Sequence, residues 1–158
     1  MSEEREFRVI IPEEEEYQII EFKQESLPGI GVINLSLVEF EPKEVFSWHC
    51  SIIIDFENLI ENGMPKNEDV LKAEKFEDYL DKNIKGENKE KPNALFLGRI
   101  TWNKTRELIW RVFDPEITNN LLDKIIKEEN YPFQFDYRID NDTEWKLAEW
   151  HLKNLTEE

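Results

Sequence analysis

Residues 45–56 restrict the fold more than any other segment, because apolar and polar side chains alternate along them as they do along a half-buried β-strand. One side of this strand would carry Phe46, Trp48, Cys50, Ile52, Ile54 and Phe56. The other side would carry Val45, Ser47, His49, Ser51, Ile53 and Asp55. A strand with one such apolar face needs helices or a second sheet packed against it.

Helix and strand signals follow in a recognisable order. Asn67 is a suitable N-cap for a helix, and residues 93–102 and 105–113 form a predicted hairpin that turns at Asn103-Lys104. Asp114-Pro115-Glu116 predicts the start of a second helix, and residues 133–139 alternate as a further strand. This order, strand, helix, strand, strand, helix, strand, is that of ferredoxin-like domains.

The flanking segments complete the prediction. Residues 7–11 and 17–22 would form a strand hairpin, and a turn at residues 27–29 would lead into a strand over residues 30–40. Near the C-terminus, Asp142 or Thr143 can cap a last helix.

The length of 158 residues suits one domain. We therefore predict a single α+β domain over residues 1–158 with an antiparallel sheet and helices on one face. It would comprise N-terminal strands in 1–43, a ferredoxin-like βαββαβ core in 44–140, and a C-terminal helix and tail in 141–158.

Two helices can cover only one side of that sheet. In the middle hairpin, both faces carry large apolar groups: Phe96, Ile100 and Trp102 on one, Leu95 and Leu97 on the other. The second side therefore needs a cover, either the N-terminal strands, which we favour, or another subunit.

The charge excludes several kinds of partner. Thirty-six acidic and 20 basic side chains give a net charge of −16, which repels nucleic-acid backbones and anionic membranes. Residues 93–113 are the one basic stretch, and we expect their arginines to pair with acidic groups of the same chain. No apolar run is long enough to span a membrane and the first residues are acidic, so we predict a cytoplasmic protein.

The sequence offers no evident catalytic or metal-binding constellation. His49 and Cys50 are neighbours on a strand and point to opposite faces, whereas Ser51 and Asp55 lie too far from His49 for direct proton transfer. We expect this polar face to be exposed, with His49 an ordinary titrating group. His49 and His151, the two histidines, lack the spacing of a helical metal site, and none of the five glycines forms a phosphate-binding motif. We therefore predict no catalytic residue, no metal and no cofactor.

Aromatic residues suggest where a partner could bind. Trp102 lies beside the predicted hairpin tip, and Trp150 lies off the apolar stripe of the last helix. Because aromatic side chains are enriched at protein interfaces, these two tryptophans are our candidate interface residues.

Several short motifs also share their order and spacing with a known family. They are Gly63-Met64-Pro65-Lys66-Asn67-Glu68, the hairpin at residues 97–107, Asp114-Pro115-Glu116, Tyr131-Pro132 and the stretch at residues 140–145. Over about residues 30–152 the chain resembles the bacterial family catalogued as domain of unknown function 695.

Two positions depart from the family pattern. Lys104 stands where members often have Gly, and Thr143 where they often have Pro. The resemblance implies no established activity and no catalytic residues. Some bacterial proteins join such a domain to one similar to the protein regulators of ribonuclease E, which is a weak analogy for a nuclease-regulating role.

Three hypotheses follow for the function. The favoured one is an acidic, non-catalytic interaction or regulatory module that docks to a basic protein. Whether the protein is an enzyme stays open, and the sequence favours that it is not. The second is a small-molecule-binding protein or enzyme with a pocket on the sheet, lined by His49, Ser51, Asp55, Arg99 and Arg111. The third is a self-associating structural domain, so that both a monomer and a homodimer remain open.

Overall fold

A computed structural model of the protein describes residues 16–149 and 151–152. These residues form one six-stranded antiparallel sheet and three helices, which confirms the predicted α+β class. The strands are β1 (Tyr17–Gln24), β2 (Leu27–Asn34), β3 (Trp48–Asp55), β4 (Ala94–Trp102), β5 (Thr105–Val112) and β6 (Phe135–Asn141). The helices are α1 (Asn67–Lys85), α2 (Pro115–Lys127) and α3 (Lys146–Glu149). Across the sheet the order is β1-β2-β4-β5-β3-β6.

The first core lies between the sheet and the helices α1 and α2. As predicted, β3 buries Cys50, Ile52 and Ile54 on this helix side, where they join Leu80 of α1 and Leu122 of α2. Phe46 departs from the prediction, because residues Lys43–Phe46 form a 3-10 turn before β3 and direct this ring to the other side of the sheet.

The second core lies on the opposite side of the sheet. Its cover consists of the segment between β2 and β3 and of the C-terminal segment. It buries Ile33, Leu37, Phe40, Val45, Phe46, Leu95, Leu97, Ile109, Trp145, Ala148 and Leu152. The expectation that the N-terminal strands cover this face is confirmed only in part: Leu37 and Phe40, predicted in the strand at residues 30–40, lie in the cover, whereas β1 and β2 extend the sheet sideways from β4.

The N-terminal half shows two further differences. The predicted strand at residues 7–11 lies outside the described residues and stays a prediction. The turn joining β1 to β2 is at Glu25-Ser26, both with positive φ, so residues 27–29 belong to β2 and not to a turn. The strand predicted over residues 30–40 ends at Asn34, whose side chain accepts a hydrogen bond from the Ser36 N–H and starts a 3-10 turn at Leu35–Leu37.

Most signals of the second half are confirmed. The β4–β5 hairpin turns at Asn103-Lys104, and Asp114 caps α2 by accepting a hydrogen bond from the Glu116 N–H. In α1, Asn67 is the first helical residue and not the cap. A bulge in β4 between Phe96 and Gly98 shifts the register, so Ile100 and Trp102 lie on the face opposite Phe96 and not beside it.

Candidate functional site

A buried polar cluster lies on the second face of the sheet, at the end where β3, β5 and β6 meet. The pairing of β3 with β5 sets His49 directly opposite Arg111, whose guanidinium is fully buried. Arg111 Nη1 donates to Asp142 Oδ2 (2.8 Å) and Nη2 donates to the Asp142 carbonyl (2.6 Å). Its Nε donates to the Phe46 carbonyl at 3.2 Å. These bonds satisfy a charge that would otherwise be costly to bury.

Trp145 covers this cluster. Its ring centroid lies 4.7 Å from the Arg111 guanidinium carbon, which is within cation–π range. The indole Nε1 donates to the carbonyls of Lys43 and Phe46, at 2.8 Å and 2.9 Å, and the ring stacks on Phe40. Trp145 therefore ties the C-terminal segment to the segment that precedes β3.

Asp142 connects the same cluster to α3. Besides Arg111, its carboxylate accepts hydrogen bonds from the Lys146 and Leu147 N–H groups, each at 2.9 Å. Burial alone would raise the pKa of Asp142, but these bonds together with Arg111 lower it. Asp142 thus accepts from the first N–H groups of α3 as a cap would, although it precedes Lys146 by four residues, and it is also the counterion of Arg111.

Two histidine rings complete the cluster. His49 and His151 are stacked with centroids 6.2 Å apart and planes 5° apart, and both side chains are buried. Burial, then the positive charge of Arg111 and the proximity of His151, lower the pKa of His49 to about 4. Burial likewise lowers the pKa of His151 to about 4.

The contacts of His49 fix the protonation state and the tautomer of its imidazole. Because a guanidinium can only donate, the contact of 3.1 Å between Arg111 Nη1 and His49 Nδ1 requires Nδ1 to accept, so the imidazole is neutral with its proton on Nε2. A base with a pKa of about 4, whose lone pair is already engaged, is poorly suited to accept protons near neutral pH. The chemistry of this cluster is therefore structural: it fixes the second layer of the fold onto the sheet.

The five residues of the predicted pocket do not form one site. His49 and Arg111 come together, but His49 is buried and not the exposed titrating group that we expected. Arg99 lies on the helix side, where it forms a bidentate ion pair with Glu77 of α1 (2.8 and 2.9 Å). Ser51 donates to Glu107, and Asp55 is exposed at the far end of β3. The expected internal pairing of the basic stretch is confirmed for Arg99 and Arg111, whereas Arg106 donates from Nε to the Thr101 hydroxyl.

An open apolar groove lies at the other end of the sheet. It runs between the β1–β2 hairpin and the loop at residues 57–66 and has a volume of about 700 Å³. Its lining consists of Glu21, Phe22, Lys23, Pro28, Gly29, Ile30, Ile60, Asn62 and Met64. We call it the hairpin groove. Ile30 and Ile60 are partly exposed in it, and Ile60 retains 49% of its accessible surface.

Two anchors hold the loop that forms one wall of the hairpin groove. The carboxylate of Asp69 in α1 accepts hydrogen bonds from the N–H groups of Glu57 and Asn58, at 2.9 and 2.7 Å. At the other end, Lys104 in the β4–β5 turn donates its N–H to the Gly63 carbonyl (2.9 Å). The groove is therefore built by backbone and buried side-chain contacts, and is largely pre-formed.

Of the two candidate interface tryptophans, the structure describes Trp102. Trp102 is half-buried, pairs with Gly29 of the groove in the β2–β4 register, and donates from Nε1 to the Gln24 carbonyl (3.1 Å). Trp150 lies outside the described residues. The sequence did not predict Ile60 and Met64 as groove residues, although Gly63-Met64-Pro65 indicated a loop. These two side chains lie near β1 and β2 only because β2 pairs with β4, which is a long-range contact.

Fold and sites together define a class: an α+β protein with one antiparallel sheet between two apolar cores, a closed polar cluster on one side and an open apolar groove at one end. The family of unknown function DUF695 matches residues 23–150, so the chain belongs to this family. Comparison with curated proteins and with solved structures finds no match.

The described residues contain neither a membrane-spanning helix nor a metal-binding cluster. None of the helices in residues 16–149 and 151–152 is long and apolar enough to cross a membrane. The same residues contain no group of three or more His, Cys, Asp or Glu side chains that could hold a metal ion.

Proposed function

We propose that this chain is a non-catalytic interaction module that binds a basic protein partner through the hairpin groove. The observation that carries this proposal is the groove itself, a pre-formed concave surface with Phe22, Pro28, Ile30, Ile60 and Met64 in its lining. Apolar concave surfaces of this size on a soluble domain commonly mark binding sites.

Charge supports the choice of partner. The net charge of −16 attracts a basic protein and repels nucleic acid, and long-range attraction of this kind mainly speeds association. The groove itself carries one charge of each sign, Glu21 and Lys23, so its centre would bind apolar side chains. The wider acidic surface would favour a partner with positive charge.

We also propose two finer assignments. Residues 44–140 adopt the ferredoxin-like βαββαβ arrangement, which the strand order β4-β5-β3-β6 and the positions of α1 and α2 between strands support. The protein acts in a bacterial cytoplasm, a compartment that suits its buried free Cys50, whose pKa burial raises to about 12.

A capture experiment with matched variants tests the proposed function. Ile60→Asp places a charge in the groove, whereas Ile117→Asp places one on α2 at a side chain of similar exposure, 43% against 49%. Because both side chains are partly exposed, both variants should fold, which circular dichroism would check. We expect proteins captured from a bacterial lysate by the wild type and by Ile117→Asp to be lost with Ile60→Asp and weakened by salt. Equal capture by both variants would remove the groove as the binding site.

A further inference from the structure

A small open pocket lies beside α1, where the loop between α2 and β6 approaches the helix. Its volume is about 270 Å³, and it shares no lining residue with the hairpin groove. Sites for drug-sized ligands usually measure about 300–1,000 Å³, so a pocket of this size suits a smaller ligand. We call it the lysine pocket, and it is lined by Lys72, Lys75, Phe76, Tyr79, Asn130 and Pro132.

One wall of the lysine pocket is a stripe of α1. Residues Lys72, Phe76 and Tyr79 recur at helical spacing, which places them on one face of the helix, and Lys75 lies beside them. Phe76 is 5% exposed and packs on Phe135 of β6, with ring centroids 5.7 Å apart. This contact fixes the stripe to the sheet.

The other wall is the loop after α2. The Asn130 N–H donates to the Ile125 carbonyl (3.0 Å), which holds the start of this loop against the last turn of the helix. Tyr131 packs edge-to-face on the same Phe135 ring, with centroids 5.6 Å apart. Since both walls are anchored on Phe135, the pocket is formed without a ligand.

The polar groups of the lysine pocket are available to a ligand. Within the described residues four lysines form ion pairs, and neither Lys72 nor Lys75 is among them. In the same part of the chain, the Tyr79 hydroxyl and the Asn130 side-chain amide have no hydrogen-bond partner, because Asn83 bonds only to the Tyr79 carbonyl. Two ammonium groups, a hydroxyl and an amide can therefore donate hydrogen bonds to a bound group.

The charge of this pocket is opposite in sign to that of the whole protein, which is −16. None of the six lining residues is acidic, and the exposed glutamates at residues 128–129 precede the loop wall without lining the pocket. Asp69, which lies one turn before Lys72, accepts hydrogen bonds from the loop that begins at Glu57 (2.9 Å). The lysine pocket thus combines positive charge with apolar surface, which suits an anion that carries an apolar group.

We propose that the lysine pocket binds a small aromatic ligand that carries one anionic group, either a carboxylate or a phosphate. Its ring would pack on Phe76, Tyr79 and Pro132. Its anionic oxygens would accept hydrogen bonds from Lys72 and Lys75. A bare anion would leave the apolar surface unused, and an uncharged ring would leave both ammonium groups without a partner. This site is separate from the hairpin groove and does not depend on the proposed function.

A titration of the full chain followed by amide NMR tests the proposal. The probes are phenyl phosphate and benzoate, with phenol as the ring without a charge and inorganic phosphate as the charge without a ring. We expect shifts centred on residues 72–79 and 130–131, with a Kd on the order of 1 mM for so small a ligand. Phenol and inorganic phosphate should bind about tenfold more weakly, since each loses one half of the contacts. Tighter binding of phenyl phosphate or of benzoate would assign the anionic group.

Matched lysine variants test whether the ammonium groups recognise the anion. Lys72→Gln and Lys75→Gln each remove one charge from the pocket, whereas Lys82→Gln removes one from the same helix outside it. Because all three side chains belong to exposed residues, the variants should fold, which circular dichroism would check. We expect each pocket variant to weaken phenyl phosphate binding about threefold and the double variant about tenfold, because ion pairs between exposed groups are weak. Lys82→Gln and Ile60→Asp should leave this binding unchanged.

Several results would overturn the proposal. They are the absence of shifts at every ligand concentration, binding of phenol or inorganic phosphate as tight as that of phenyl phosphate, and equal effects of Lys82→Gln and Lys75→Gln. Shifts centred on the hairpin groove and lost in Ile60→Asp would place the ligand at the other site. A dimer in sedimentation that Lys72→Gln and Lys75→Gln dissociate would assign the pocket to acidic side chains of a second copy. Capture of a protein partner by the groove is measured separately, so the two proposals can fail independently.

Discussion

Arg111 shows how one residue can organise a distant part of the chain. Its guanidinium is fully buried, and its contacts bring together two distant stretches of the chain, Phe46 and His49 from one and Asp142 and Trp145 from the other. Burying a charge is unfavourable unless its hydrogen-bonding groups find partners. The folding of the second layer is therefore coupled to the completeness of this cluster.

Removing the counterion of Arg111 should be strongly destabilising. Asp142→Ala would leave a buried guanidinium without its carboxylate, and we expect a loss of about 3–5 kcal/mol in the free energy of unfolding. Asp140→Ala is the control, because its ion pair with Arg138 is largely exposed and should contribute at most about 1 kcal/mol. Urea unfolding followed by tryptophan fluorescence would measure both. Similar losses in the two variants would contradict the structural role of the cluster.

The two histidines should make stability depend on pH. Their pKa values are lowered in the folded state, from an ordinary 6.5 to about 4, so the folded protein disfavours the charged form. The stabilisation is complete above pH 6.5 and is lost as the pH falls towards 4. At pH 5 the loss should be about 2 kcal/mol per histidine relative to neutral pH.

Non-titrating variants would check this assignment. The carboxylates of Asp69 and Asp142, whose pKa values are lowered from 3.8, lose their contribution only at still lower pH. In His49→Gln the new side-chain amide oxygen can still accept from Arg111, so this variant combined with His151→Gln should flatten the decline between pH 7 and 5. An unchanged decline would place the titrating groups elsewhere.

For single residues, the sequence predicts which face of the sheet a side chain lies on, but not whether that side chain is buried. Strand alternation correctly placed His49 and Cys50 on opposite faces. It could not show that His49 is buried, because the cover over it includes Trp145, which lies almost a hundred residues further along the chain. A polar strand face looks the same in sequence whether water or a polar cluster lies above it.

At the scale of elements, the junction of β2 with β4 decides where the N-terminal hairpin lies. Gly98 sits at this junction, next to the bulge of β4, and pairs with Ile33. A Cβ atom at Gly98 would lie 2.6 Å from the Val32 carbonyl oxygen. Glycine therefore permits the close approach that lets β1 and β2 extend the sheet.

Gly98→Ala tests this explanation. The added methyl meets backbone and not a mobile side chain, so we expect a loss of about 2–3 kcal/mol and reduced amide-exchange protection in β1 and β2. Gly86→Ala is the comparison: it has φ of +82° at the end of α1 but open space around it, and should lose about 1 kcal/mol without affecting β1 and β2. A Gly98→Ala variant as stable as the wild type would show that the junction can adjust.

An element can be predicted from sequence when the residues that determine it lie within a few positions of one another. The α2 start and the β4–β5 turn were predicted correctly because capping and turn residues act within a few positions. Three features were not predicted correctly: the bulge in β4, the position of β1 and β2 at the edge of the sheet, and the composition of the second-face cover. Each depends on a contact between segments that are distant in the chain. The hairpin groove belongs to this second group.

For the whole molecule, the two cores and the net charge act against each other. The cores hold the sheet from both sides, while an excess of 16 negative charges repels itself in the compact state. The ion pairs that oppose this repulsion differ in exposure: that of Arg111 is buried, whereas that of Lys127 with Asp123 is open to solvent. Salt screens exposed charges far more than buried ones.

Salt should therefore raise the stability of the free protein while it slows binding of a basic partner. Between low and moderate sodium chloride we expect the free energy of unfolding to increase by on the order of 1 kcal/mol, because screening relieves repulsion among many carboxylates and weakens only the exposed pairs. Thermal unfolding across a salt series would measure this, with stopped-flow association of the captured partner in the same buffers. If salt lowered stability, attractive surface pairs would outweigh the repulsion. An association rate independent of salt would show that the negative charge does not steer the partner, whatever the groove binds.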